Sequence, residues 1–165
     1  MRIFPPIPAW DGMHPLVVHF PVALLLVAPL LVVLGLIFFK NRVPYWVSAW
    51  MLMVLGPIGA YVGVSTGEAG AQLVERTPEI SKALEQHQEL AETARTVFTI
   101  LTAVFAALLF APIVNRKEFG KAIVRIVGAV FLIGYVGGML VLVNTAHAGG
   151  TMVHEYGVRA MITGG

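Results

Sequence analysis

The five histidines of this sequence are the side chains best suited to bind a cofactor, because neutral imidazole is a ligand of haem iron, copper and zinc. Two of them, His14 and His19, lie in a short motif at residues 14–21 that opens a long apolar run. Histidine is costly inside a bilayer and marks a functional site by default. We therefore predict a ligand cluster, and its members are His14, His19, His87, His147 and His154.

A b-type haem is the leading interpretation of this cluster. Haem iron takes two axial ligands on opposite sides of its ring, and in a helical bundle these come from different helices. His14 and His19 are five residues apart, about 140° around a helix, so they do not readily ligate one iron from one face. We expect one or two haems. The candidate ligands, in descending order, are His19, His147, His87, His14 and His154.

Two alternatives remain open. Three imidazoles together with Glu68 would also make a sensible ligand set for copper or zinc. With a haem, the Glu68 carboxylate would instead orient a ligand imidazole through a hydrogen bond. In the second alternative the histidines only hydrogen-bond to carbonyls or carboxylates at the membrane interface, and the protein is a non-catalytic structural or assembly subunit of a membrane complex.

Several classes of function are excluded by what the sequence lacks. The chain has no cysteine, which rules out disulfides, thiolate metal sites, iron–sulfur clusters and the C-x-x-C-H attachment of a c-type haem. It has no hydrolase or phosphate-binding motif of the G-x-S-x-G, H-E-x-x-H or Walker type. A formal net charge of +2 gives no indication of nucleic-acid binding. We therefore expect an electron-transfer subunit without catalytic residues rather than a stand-alone enzyme.

The composition indicates that helices crossing a membrane position these histidines. Apolar residues make up 58% of the 165 residues, and the mean hydropathy is +0.82. A helix of about 20 apolar residues crosses a bilayer core, and four segments are long enough: residues 15–39, 43–65, 96–114 and 122–145. We predict an all-α integral membrane protein, a four-transmembrane-helix bundle that forms one domain over residues 1–165.

The basic residues predict the orientation of the four helices. Six of the eleven lie in the two short connections, at Lys40, Arg42, Arg116, Lys117, Lys121 and Arg125. The positive-inside rule places these connections in the cytoplasm. Both termini, the 67–92 loop, all five histidines and every acidic residue except Glu118 then lie on the periplasmic side of a bacterial inner membrane. The proline-rich start, residues 1–12, lacks the features of a removable signal peptide.

Helix signals continue beyond the apolar segments on the outer side. Thr77-Pro78-Glu79 is typical of a helix start, with proline in the first turn and an acid near the positive end of the helix dipole. Apolar residues at helical spacing follow as far as Thr96. We therefore predict that the third helix projects outward by several turns. The two glycines Gly149-Gly150 favour a bend beyond the fourth helix.

The sequence also indicates an internal duplication of two helical hairpins. Residues 64–75 match residues 143–154 without gaps, and each segment follows an outward-going helix. Such a parallel repeat would have a pseudo-two-fold axis along the membrane normal. It would pair Glu68 with His147, and His14 and His87 would be counterparts by position.

The motif at residues 14–21 resembles the opening of domain-of-unknown-function family 2231, a group of small bacterial membrane proteins with four helices. The resemblance continues through Thr66-Gly67, His87 and residues 147–157. It implies a membrane redox context, since such domains occur beside cytochrome-like modules. The expected partners are then the lipid bilayer, other membrane redox subunits or a periplasmic cytochrome, and a quinol. The expected function is electron transfer within a respiratory or photosynthetic-type complex.

Overall fold

The computed structural model describes residues 7–114 and 119–158, and over these ranges the secondary structure is entirely helical. The predicted four-helix bundle is confirmed, since four helical stretches are long and apolar enough to cross a membrane. Short 3-10 helices at Trp10–Gly12 and Phe39–Asn41 lead into the first and second of these stretches. The α-helices are α1 (His14–Val17), α2 (His19–Ile37), α3 (Arg42–Ala71), α4 (Pro78–Val114) and α5 (Lys121–His154).

Helix α4 confirms the predicted extension of the third helix beyond its apolar segment. It begins at Pro78 and runs for 37 residues, well beyond the roughly 20 residues that a bilayer core requires. The Thr77 hydroxyl accepts a hydrogen bond from the backbone N–H of Ile80 at 3.3 Å, as a helix-capping side chain does. The N-terminal half of α4, which carries His87, therefore packs as a continuation of the membrane helix.

The predicted bend at Gly149-Gly150 is wrong, because α5 continues through both glycines to His154. Each glycine in a helix costs about 1 kcal/mol relative to alanine. That cost does not interrupt the helical hydrogen bonds here. The absence of a Cβ at Gly149 lets the ring of His87 approach the helix. Gly149 serves close packing rather than a change of direction.

The first membrane helix is interrupted between α1 and α2 at Val18. Pro21 has no N–H to donate to the carbonyl of Val17, and its ring crowds that carbonyl. The next hydrogen bond, from the N–H of Val22 to the carbonyl of Val18, is long at 3.4 Å. Val18 keeps helical dihedrals, so His14 stands on a short turn that follows the direction of α2.

A row of glycines on α3 brings α1 and α2 close to it. An added Cβ at Gly56 or Gly59 would lie within 3.1 Å of a side chain of α2, and one at Gly67 would lie 3.0 Å from His14. Small residues three or four positions apart on one helix face allow helix backbones to approach each other in membranes. Along the row the contacts pair residues 56, 59, 63, 67 and 70 of α3 with Leu25, Pro21, Val18, His14 and Asp11. Helices α2 and α3 therefore form a close antiparallel hairpin.

Two hydroxyl groups of α4 and α5 hold the second hairpin against the first. Pro29 in α2 and Pro57 in α3 lack an N–H, so the carbonyls four residues earlier, those of Leu25 and Met53, lose their helical donors. The hydroxyl of Tyr135 donates to the Leu25 carbonyl at 2.8 Å, and that of Thr102 to the Met53 carbonyl at 2.7 Å. Neighbouring side chains commonly satisfy carbonyls that proline frees in membrane helices.

Buried aromatic rings fill the space between the two hairpins. Phe98 and Tyr135 meet edge to face with centroids 5.3 Å apart, and Phe105 and Phe131 lie 4.9 Å apart. Around the bundle α2 packs against α3, α3 against α4, α4 against α5, and α5 against α2. The core is thus closed, and it fixes how the ends of the two hairpins meet.

Candidate functional site: a pair of histidines

His14 is held against α3 by a hydrogen bond from its ring. Its Nδ1 lies 2.8 Å from the carbonyl oxygen of Gly63 and 3.4 Å from the hydroxyl of Thr66, a fully buried residue. The same ring rests on Gly67, where a Cβ would come within 3.0 Å of its Cε1 and Nδ1 atoms. His14 is the first residue of α1, so the short turn before Pro21 positions it.

His87 is held against α5 in the same way. Its Nδ1 lies 3.0 Å from the carbonyl oxygen of Thr145. Its ring rests on Gly149, where an added Cβ would lie 3.1 Å from Cε1. The residue stands in the part of α4 that projects beyond the apolar segment, and this projection brings it level with the last turns of α5.

These hydrogen bonds fix the tautomer of both neutral rings. A carbonyl oxygen only accepts, so Nδ1 must carry the hydrogen in His14 and in His87. The lone pair of each neutral imidazole is then on Nε2. Histidines that bind metals are typically oriented like this, with the second ring nitrogen donating to a carbonyl or carboxylate.

The structure brings the two rings together. Their centroids are 6.4 Å apart and their planes are perpendicular, and both side chains are half-buried. Each ring is attached to its own hairpin, His14 to α3 and His87 to α5. The pair therefore lies where the two hairpins meet, at the end of the bundle that we call the histidine end, formed by α1, the last turns of α3 and α5, and the first half of α4.

The two attachments repeat one geometry. In each hairpin the glycine against the ring stands four positions after the residue whose carbonyl accepts the hydrogen bond, Gly67 after Gly63 and Gly149 after Thr145. These contacts pair Gly63 with Thr145, whereas the ungapped sequence match pairs Thr66 with Thr145. The geometric correspondence is thus shifted by three positions, about one helical turn, and the duplication itself stays a prediction.

The other three histidines do not join this pair. His19 is exposed, and its Nδ1 bonds to the carbonyl of Pro15 in its own helical stretch at 2.7 Å. His154 is exposed at the last position of α5. His147 is also exposed and lines a cavity of about 310 Å³ between α4 and α5. His19 and His147, the first two candidates in the predicted order, are thus not part of the pair that His14 and His87 form.

Glu68 lies on the exposed surface of α3. Within residues 7–114 and 119–158, no three histidine, aspartate or glutamate side chains come together in a way that could hold a metal ion. The predicted set of three imidazoles with Glu68 is therefore not assembled in this part of the chain. The ligand roles of His19, His147, His154 and Glu68 stay predictions.

Sequence reasoning did not identify the groups that hold the two rings. The carbonyls of Gly63 and Thr145 are backbone atoms and leave no residue-type signal. The buried hydroxyl of Thr66, which donates to Val62 and Gly63 carbonyls at 3.0 Å, also looks like any small residue of a membrane helix. The usable signal was the spacing of Gly59, Gly63 and Gly67, which predicts a close helix contact.

Comparison with known proteins gives one match. The model of a family described as "Predicted membrane protein (DUF2231)" matches residues 11–161, which is nearly the whole chain. No curated protein and no solved structure matches this chain.

Proposed function

We propose that this chain, which belongs to the DUF2231 family of predicted membrane proteins, binds the iron of a b-type haem through His14 and His87 and serves electron transfer in the membrane. One observation carries the proposal: two half-buried imidazoles from different hairpins lie with their centroids 6.4 Å apart, and each has Nδ1 bonded to a carbonyl, so that the lone pair that iron needs is on Nε2.

The number and separation of the imidazoles fit axial ligation. Bis-histidine haem needs two protein ligands, whereas zinc sites use three or four, and no group of three occurs among the described residues. For both imidazoles to hold one haem iron, their rings must lie close together. The observed separation is 6.4 Å.

The residues around the pair would orient the ligands. When bound, haem supplies reversible one-electron exchange. Hydrogen bonds to the carbonyls of Gly63 and Thr145 hold each ring in one tautomer. Gly67 and Gly149 allow the rings to lie against the helix backbones. Because each hairpin supplies one ligand, the bound group would also tie the hairpins together.

The proposed setting is a bacterial inner membrane with the histidine end on the periplasmic side. The opposite end of the bundle carries four basic residues of the described chain, Lys40, Arg42, Lys121 and Arg125. The positive-inside rule supports a cytoplasmic location for that end. The site would then exchange electrons with a quinol in the outer leaflet and with a periplasmic cytochrome or another membrane redox subunit. This orientation and these partners are part of the proposal.

A second candidate function is favoured by the same hydrogen bonds. His14 joins α1 to α3, and His87 joins α4 to α5. Each bond closes one hairpin, as polar side chains do between membrane helices. If the two rings bind nothing, they are structural links, and the protein is an assembly subunit of a larger membrane complex.

The test is to purify the protein without a histidine tag from cells supplied with iron and haem precursor, and to record oxidised and reduced absorption spectra together with the metal content. A Soret band with stoichiometric iron supports the haem proposal. If the protein contains one copper ion per chain and shows no Soret band, the ligand of the same nitrogens is a copper ion and not haem. If the protein contains neither haem nor copper, the structural role of the two histidines is supported instead.

A further inference from the structure

The end of the bundle opposite the histidines carries a second, separate cluster, which we call the basic end. It consists of Lys40, Arg42, Lys121 and Arg125, at the connection between α2 and α3 and at the start of α5. Three of these cations converge on one ring. The guanidinium of Arg42 lies 4.5 Å from the centroid of Phe39, the ammonium of Lys121 lies 5.5 Å from it, and the guanidinium of Arg125 lies 6.0 Å from it.

No acidic residue of the described chain compensates these charges. Asp11, Glu68, Glu75 and Glu155 lie near the helix termini of the histidine end, and four more glutamates lie in the first half of α4. The ninth acidic residue, Glu118, is outside the described residues. A cation near the face of an aromatic ring is attracted to the ring. Like charges that gather on one ring also repel each other, so the cluster is suited to an anion.

We propose that the basic end binds the headgroup phosphate of an anionic phospholipid. Basic pockets between membrane helices on the cytoplasmic side recognise such headgroups. The apolar surroundings favour a lipid over a soluble anion, because each cationic position has an exposed hydrophobic neighbour that acyl chains would cover. Phe38 is 53% exposed beside Phe39, Val43 is 56% exposed beside Arg42, and Ile123 is 54% exposed two positions after Lys121.

The ring of Phe39 gives this site its shape. It is half-buried, at the connection that ends the first hairpin's inward helix, and the cations reach it from two helices, Arg42 from α3 and Lys121 and Arg125 from α5. A phosphate placed among them would contact both hairpins. The bound lipid would therefore join the hairpins at the basic end.

The experiment compares lipid binding to the purified full chain in detergent by native mass spectrometry, with phosphatidylglycerol and phosphatidylcholine as probes. The variant removes three charges together, Arg42→Gln, Lys121→Gln and Arg125→Gln. The control variant removes Arg76 and Lys82 at the other end, as Arg76→Gln and Lys82→Gln. Each basic residue near an anionic surface contributes about fivefold, so the triple variant should bind phosphatidylglycerol on the order of 100-fold more weakly.

The expected pattern is specific for the charge and for the lipid. The control variant should bind phosphatidylglycerol like the original chain, and phosphatidylcholine should bind all three proteins equally. Equal binding of phosphatidylglycerol to the triple variant and the original chain overturns the proposal. Displacement of the lipid by inorganic phosphate at equal concentration would also overturn it, since acyl chains would then make no contribution. If the far-ultraviolet circular dichroism spectrum shows that the triple variant does not fold like the original chain, the single variant Arg125→Gln takes its place. Its expected loss of phosphatidylglycerol affinity is about fivefold.

Discussion

The rings of His14 and His87 meet edge to face with centroids 6.4 Å apart, although each is bonded to a carbonyl of a different hairpin. The separation of the two rings therefore depends on how the two hairpins pack. The same packing is held deeper in the bundle by the hydroxyls of Tyr135 and Thr102. Changes at these deeper contacts should therefore alter the separation of the two histidine rings.

Alanine at the two glycines under the histidine rings should weaken the ring-to-carbonyl bonds. Gly67→Ala and Gly149→Ala each place a Cβ 3.0–3.1 Å from a ring atom, which forces the imidazole away from its carbonyl. The lost hydrogen bond costs about 0.5–1.5 kcal/mol and offsets the gain of about 1 kcal/mol that alanine brings to a helix. Nothing lies within 4 Å of a Cβ at Gly150. Gly150→Ala is therefore the matched control and should show the full gain in a detergent unfolding titration. Equal stabilisation by all three variants would contradict the close contact between the histidine rings and Gly67 and Gly149.

The hydroxyl of Tyr135 should matter because Pro29 is present. Tyr135→Phe leaves the Leu25 carbonyl without a donor in a buried position and should lower the free energy of unfolding by about 1–3 kcal/mol. Pro29→Ala restores a helical N–H for that carbonyl. It should therefore recover stability in the Tyr135→Phe background much more than it adds to the original chain. A double-mutant cycle measures this coupling, and a coupling energy of zero would show that the bond does not stabilise the bundle.

The corresponding contact on α3 should behave alike but more weakly. The Thr102 hydroxyl lies 2.7 Å from the carbonyls of both Met53 and Phe98, and its single hydrogen serves one of them at a time. Thr102→Val should cost about 0.5–1.5 kcal/mol, and Pro57→Ala should remove most of that cost. Thr99→Val is the control, because Thr99 bonds only within its own helix at an exposed position. A loss from Thr99→Val as large as that from Thr102→Val would argue against the interhelical bond.

The sequence was sufficient to predict the four-helix bundle, but not the ends of α3 and α5, which continue to Ala71 and His154 instead of ending at the predicted 65 and 145. Long apolar runs separated by short basic connections predict membrane helices from composition alone. The start of α4 at Pro78 was predicted from the local sequence, because Thr77-Pro78-Glu79 is typical of a helix start. The bend at Gly149-Gly150 was predicted wrongly for a tertiary reason. The conformational preference of glycine favours a bend, but the contact of Gly149 with His87 comes from another helix and is not visible locally.

The composition of the histidine pair could not be read from the sequence. All five histidines were expected at one end, but ranking them by depth placed His19 first. In the structure the rings of His14 and His87 meet, because a row of small residues on α3 and the long α4 bring them to the hairpin junction. The ligand roles of all five histidines stay predictions. Which side chain faces inward depends on helix rotation, which the spacing of residues along one helix does not fix.

The measurement that tests the central claim most directly is the iron and haem content of two sets of variants, each purified in parallel with the original chain. His14→Ala and His87→Ala each remove one of the converging imidazoles. The triple variant His19→Ala, His147→Ala and His154→Ala removes the three exposed ones. The proposal predicts that either single variant loses the Soret band of the original chain and its bound iron, while the triple variant keeps both. Loss of haem from the triple variant with retention in His14→Ala and His87→Ala would contradict it.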